Sequence, residues 1–105
     1  MAKYVLVYTS GGVPASVQDR AVLMQAWRVW VGSLGSAVVD PGNPFGPSMT
    51  VAPDSSSGDG GSSELRGYMI FSADSLAAAT ILAQGCPYRT HNGGTIEIYE
   101  TLPID

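Results

Sequence analysis

The sequence predicts an α+β fold, one antiparallel sheet with two helices on one of its faces, and three observations predict it. Segments rich in β-branched and aromatic residues open and close the chain. Two segments with helical signals lie between strand-like ones, and clusters of Gly, Pro, Asn and Ser mark the turns.

Residues 3–9 (KYVLVYT) are β-branched, aromatic or leucine almost throughout, with Tyr4, Leu6 and Tyr8 on one face and Val5 and Val7 on the other. Both faces call for burial. Gly11-Gly12-Val13-Pro14 breaks this strand, and Ser16 with Asp19 three residues on forms a helix start of the capping-box kind. The helix is expected over Val17 to Leu34, where Leu23, Trp27, Trp30 or Val31, and Leu34 recur at steps of three and four; Gly35 stops it. Ala37 to Val39 reads as a short strand. Asp40-Pro41-Gly42-Asn43-Pro44-Phe45-Gly46-Pro47-Ser48 follows as a defined irregular loop, and Met49 to Ala52 as a resumption of strand.

Residues 54–63 are low in complexity and suit an exposed hairpin connection. Arg66 to Ala73 forms another strand, with Tyr68 and Ile70 on one face and Met69 and Phe71 on the other. Asp74 or Ser75 caps a second helix, Leu76 to Gln84, which Gly85 and Pro87 terminate. Asn92-Gly93-Gly94 turns the chain into a last strand, Thr95 to Thr101, where Ile96 and Ile98 alternate with Thr95, Glu97 and Tyr99.

With right-handed crossovers the order βαββαβ gives the ferredoxin-like arrangement, in which the helices protect one face of the sheet only. The apolar residues on the other face then need a second cover. The simplest cover is the same face of an identical subunit, so a homodimer is expected, with room for a cavity between sheet and loops.

Composition agrees. A chain of 105 residues holds one domain, residues 1–105, and its 45% hydrophobic and 13% charged content excludes disorder. A mean hydropathy of +0.13 is high for so small a monomer. The net charge of −4, with Lys and Arg scattered singly, disfavours nucleic acid as a partner. Cys86 is the single cysteine, which suits a reducing cytoplasm. No membrane-spanning run or leader-like segment is visible.

His91 is the single histidine, and a neutral imidazole there would serve as a general base if a carboxylate fixed its tautomer. Asp40 is the candidate partner, and the two form the candidate catalytic pair. The plainer alternatives are a solvent-exposed turn histidine and an Asx turn before proline. Tyr4, Tyr8, Tyr68 and Tyr99 alternate along strands, and those facing the helix-free side would line a cavity suited to a small aromatic or amphipathic ligand, unless they are ordinary interface tyrosines. Ser48 joins them as a candidate ligand-binding residue; it lacks the GxSxG elbow of a serine hydrolase. Arg28 and Arg89 would hold an anion or pair with acidic neighbours. One histidine without an acidic cluster argues against a metal site, and the glycine-rich turns lack phosphate-loop spacing, so no cofactor is expected.

Several motifs in order, KYVLVY at the start, Leu34-Gly35, Pro44-Phe45-Gly46-Pro47-Ser48, Asp59-Gly60, Gly67-Tyr68, Ala73-Asp74, Cys86-Pro87 and Gly94-Thr95-Ile96-Glu97-Ile98, resemble the YCII-related proteins, specifically the DGPF-type branch. The resemblance spans nearly the whole chain. It implies a dimeric α+β barrel and, in some relatives, an acid/base pair of a His on the first helix and an Asp shortly after it. Here the histidine's place falls near Met24 or Gln25, and the DGPF signature reads Asp59-Gly60-Gly61-Ser62.

The expected function is that of a small dimeric enzyme transferring protons on a small organic molecule. The alternative is a dimer that binds a small ligand or regulates without chemistry.

Overall fold

A computed structural model of the chain describes residues 2–12, 14–60 and 65–104. Its main sheet has four antiparallel strands, β1 (Ala2–Thr9), β2 (Val38–Asp40), β5 (Leu65–Ala73) and β6 (Thr95–Glu100), in the order β2-β5-β1-β6. Two helices connect them: α1 (Val17–Leu34) between β1 and β2, and α2 (Leu76–Ala83), followed by the short α3 (Pro87–His91), between β5 and β6. This is the ferredoxin-like topology expected. Among the described residues the strands form no closed barrel.

The capping signals act as the sequence implies. The Ser16 hydroxyl accepts the Asp19 amide at 3.0 Å, and Ser75, rather than Asp74, accepts the Ala78 amide at 3.1 Å. Gly35 ends α1 at a positive φ of 57°, and a single 3₁₀ turn, Gly35–Ala37, leads into β2.

Burial follows strand parity. Tyr4, Leu6 and Tyr8 of β1 and Met69, Phe71 and Ala73 of β5 face the helices and form the core with Trp30, Leu34, Ala79, Ala83 and Cys86. The small Ala79 and Ala83 let α2 approach the sheet closely. Trp30 ties the two helices together by donating its indole N–H to the Leu82 carbonyl at 3.2 Å.

On the opposite face Val5, Val7, Tyr68 and Ile70 are only half-buried. The molecule measures 44 × 41 × 18 Å, about two layers thick, and among the described residues no helix covers this face. Its radius of gyration, 15.3 Å, exceeds the roughly 13 Å of a compact domain of this length.

Three details differ from the sequence reading. Met49–Val51 does not rejoin the main sheet; as β3 it pairs with β4 (Ser57–Asp59) in a separate two-stranded hairpin, with all six residues exposed. Part of what reads as a connection is thus strand, held by a turn in which the Asp54 carboxylate accepts both the amide and the hydroxyl of Ser56. Residues 61–63 of that stretch, with Gly61 and Ser62 of the DGPF-like motif, lie outside the described residues. Finally, Pro87 starts α3 instead of merely ending α2, as suits a proline at the first helical position.

Candidate functional site

The most organised group of polar and aromatic side chains on the helix-free face lies where β2 ends. Asp40 is the last residue of β2, beside Ile70 of β5. Its Oδ1 accepts the Gly42 amide at 2.9 Å, closing an Asx turn, and its Oδ2 accepts the Tyr68 hydroxyl at 2.9 Å. The turn depends on glycine: Gly42 has φ 75°, and a Cβ there would sit 1.6 Å from the Tyr68 carbonyl oxygen.

The loop is then tied back to β5. The Phe45 amide donates to the Arg66 carbonyl at 2.8 Å, and Pro44 bridges Gly67. Consequently the Phe45 ring stacks on Tyr68, with centroids 5.8 Å apart and planes 17° from parallel. Asp40, Tyr68 and Phe45 make a shelf with a carboxylate at one side and two aromatic planes, next to the valines of β1.

The hydrogen bond to Asp40 raises the pKa of the Tyr68 phenol above its ordinary 10, and the carboxylate's charge adds to the effect. The phenol therefore keeps its proton and commits it to the Asp40 carboxyl group. Asp40 keeps further lone pairs for an O–H or N–H of a bound molecule.

At the other side of the same face Tyr99 donates to Glu97, which holds its phenol protonated in the same way. Val5 lies between Tyr99 and Ile70 across the sheet, and Val7 between Glu97 and Tyr68. Two phenol–carboxylate pairs thus flank a strip of valine.

The structure does not bring His91 and Asp40 together. His91 ends α3, where its Nδ1 lies 3.0 Å from the Thr90 hydroxyl, and it lines an open cleft of about 390 Å³ with Gly12, Pro14, Asp19, Val22 and Asn92. The acidic residue across that cleft is Asp19 of the first helical turn. Asp40 belongs to the β2 edge, and its hydrogen bonds go to Gly42 and Tyr68. The expected pair fails because strand order, which separates the two residues, is a tertiary property.

Tyr4 and Tyr8 also require correction as cavity residues. Both face the helices, with exposures of 1% and 7%. Tyr4 donates to Glu100 at 2.9 Å. Tyr8 stacks on Tyr88 and meets the edge of Trp27, while its hydroxyl lies beside the Cys86 thiol and has no partner of hydrogen-bond geometry among the described residues. Burial drives its pKa upward, and the Cys86 thiol is likewise pushed up to about 11.

Ser48 stands at the foot of the β3–β4 hairpin. Its carbonyl accepts the Gly60 amide at 3.1 Å, and its hydroxyl occupies the space a Cβ on Gly60 would need. Of the four expected tyrosines, Tyr68 and Tyr99 are the two on the helix-free face, and Asp40 joins them there through its bond to Tyr68. Sequence reasoning missed Phe45 as part of the site; the signal was an aromatic five residues after an Asx-Pro turn.

No group of three His, Cys, Asp or Glu side chains that could hold a metal occurs among the described residues, and no helix among them is long and apolar enough to cross a membrane.

No protein-family model matches the chain, and no curated protein matches it in sequence. Among solved structures the chain is similar to 5-chloro-2-hydroxyhydroquinone dehydrochlorinase (TftG) from Burkholderia phenoliruptrix AC1100, in complex with 2,5-dihydroxybenzoquinone. The TM-score is 0.52 and the identity 16%, over 91% of this chain and 90% of that one. At that identity the likeness establishes the shared architecture, an antiparallel α+β sheet with helices on one face.

Proposed function

We propose that this chain is a YCII-related protein of the DGPF-type branch and acts as a small homodimeric enzyme performing proton transfer on a small organic molecule held against the helix-free face. The observation that carries this reading is the Asp40–Tyr68 hydrogen bond beside the Phe45 ring, on a face that one chain leaves bare. In this reading Asp40 is the proton acceptor, Tyr68 fixes its orientation, and the Phe45 and Tyr68 rings provide an apolar wall for a flat molecule. A second copy laid on the same face closes the pocket against water. The lone buried thiol suits a cytoplasmic setting.

A similar architecture in a protein solved with 2,5-dihydroxybenzoquinone supplies a first probe. Titrating it into labelled protein is expected to shift the amide signals of Val7, Tyr68 and Ile70. Asp40→Asn should weaken the effect. Incubating small hydroxylated aromatics with the protein in heavy water then reports turnover as deuterium gained by the compound.

One observation favours the alternative of a non-catalytic ligand-binding dimer. Near Met24 or Gln25, where the resemblance places a histidine on α1, this chain has none, and its single histidine, His91, lines a different cleft, so no imidazole accompanies Asp40. Binding without any deuterium uptake selects that alternative. Shifts confined to the His91 cleft would overturn both.

A further inference from the structure

The two edges of the main sheet differ in character. β2 is three residues long, its register with β5 is irregular between Val38 and Asp40, and Pro41 follows at once. Such an edge resists further pairing. β6 is six residues long, keeps an unbroken register with β1, and has no strand on its other side among the described residues.

The direction of its backbone groups follows from one bond. Thr101 donates its amide to the Lys3 carbonyl at 2.9 Å, so odd-numbered residues of this strand point N–H and C=O toward β1. Ile96, Ile98 and Glu100 therefore point theirs outward. Pro103 is odd-numbered, and its missing N–H does not interrupt the outward row.

Beside this edge lies a mainly apolar groove of about 330 Å³ between α2 and β6, with Ala83, Ile96 and Ile98 among its walls and Arg89 within it. The Arg89 guanidinium donates to the Gln84 carbonyl at 2.9 Å, a backbone group rather than a carboxylate. Just past the strand, Leu102 and Ile104 are 76% and 97% exposed. By alternation they belong to the side that Ile96, Ile98 and Glu100 present to the helices.

We propose that β6 pairs antiparallel with β6 of a second copy about a two-fold axis at Ile98, forming a continuous eight-stranded sheet, and that Leu102 and Ile104 of each copy cover the groove of the other. In this register Ile96 faces Glu100 of the second copy, whose Oε1 accepts the Tyr4 hydroxyl of its own chain and whose Oε2 remains for the groove that holds Arg89. Gly94 faces Leu102, against the Tyr88 ring that fills the glycine's side. A two-fold axis at Glu97 would instead set two glutamates directly opposite, which is destabilising. The occupant is thus a second copy, selected by strand pairing and by charge. This surface is separate from the helix-free face and does not depend on the proposed function.

The test combines light scattering with amide exchange on the full chain. Leu102→Asp with Ile104→Asp changes two exposed side chains and leaves the fold intact. The assembly mass of this variant is expected to be half that of the wild type, with the amides of Ile96, Ile98 and Glu100 exchanging about tenfold faster. If the helix-free face also mates, the mass falls from four chains to two; otherwise it falls from two to one. Glu100→Arg should have the same effect, and adding Arg89→Glu should restore the wild-type mass. Equal masses together with equal exchange at those three amides in the wild type and the double-aspartate variant would overturn the pairing, whatever becomes of the helix-free face.

Discussion

The Asp40 carboxylate accepts the Tyr68 hydroxyl at 2.9 Å while its second oxygen closes the turn onto Gly42, so one side chain both shapes the loop and meets the helix-free face. The two roles separate by mutation. Tyr68→Phe removes one hydrogen bond at a half-buried position and should cost about 1 kcal/mol in urea unfolding. It leaves the turn and the Phe45 stack in place. Binding of a hydroxylated aromatic should weaken but persist in Tyr68→Phe and be lost in Asp40→Ala, as measured by calorimetry. Equal affinity in the wild type and Asp40→Ala would remove Asp40 from the site.

Gly42→Ala tests the same shelf without touching its charge. The added methyl meets the Tyr68 carbonyl, which is backbone and cannot swing away, and φ 75° is strained for alanine in any case. A loss of about 2–4 kcal/mol is expected. The Phe45–Tyr68 stack should be displaced, visible as a changed near-ultraviolet circular dichroism. Gly46→Ala has open space around its Cβ and serves as the control.

What could be read without coordinates, and what could not, divides along physical lines. The extent of α1 and its Ser16 cap were legible because capping and helical spacing are local. The two-sided apolar character of β1 and β5 was equally legible, and with it the bare face. Alternation fixes which residues of one strand share a face but not which face the helices cover, so pattern alone does not separate Tyr4 and Tyr8 from Tyr68 and Tyr99. β4 was hidden because Ser-Gly-Asp has little strand propensity; hairpin pairing with β3 makes it a strand. The neighbours of His91 depend on how α3 packs beside the start of α1, which no local pattern encodes.

The bare face yields a direct test of the dimer. Val7 lies midway across it, between Glu97 and Tyr68, and is half-buried in one chain. Val7→Asp would bury a carboxylate between two copies if that face is an interface, at a cost of several kcal/mol. In a lone chain the new carboxylate would sit half-buried directly across from Glu97 and cost about 1 kcal/mol by like-charge repulsion, well below the cost of burial between two copies. Sedimentation should show the mass halved, with a helical circular dichroism spectrum like that of the wild type. An unchanged mass would mean that the face is not used between copies.

Alkaline stability provides a readout of the core. Burial holds the Cys86 thiol at about 11, against 9.0 when exposed, so the folded state keeps a proton that the unfolded state releases first. Between pH 9 and 11 the unfolded chain binds fewer protons, and linkage makes stability fall as pH rises. The stabilising difference is complete below pH 9 and is lost progressively through the folded pKa. The gap between 9.0 and about 11 caps the loss at about 3 kcal/mol. The buried Tyr8 phenol, raised in the same sense, adds to the decline at the high end. Cys86→Ala lowers stability at every pH through the small void it leaves, but it should flatten the slope between pH 9 and 10, where the thiol titrates before the phenol. Urea midpoints at closely spaced pH values decide this. A slope unchanged by the substitution would show that the thiol carries none of the dependence.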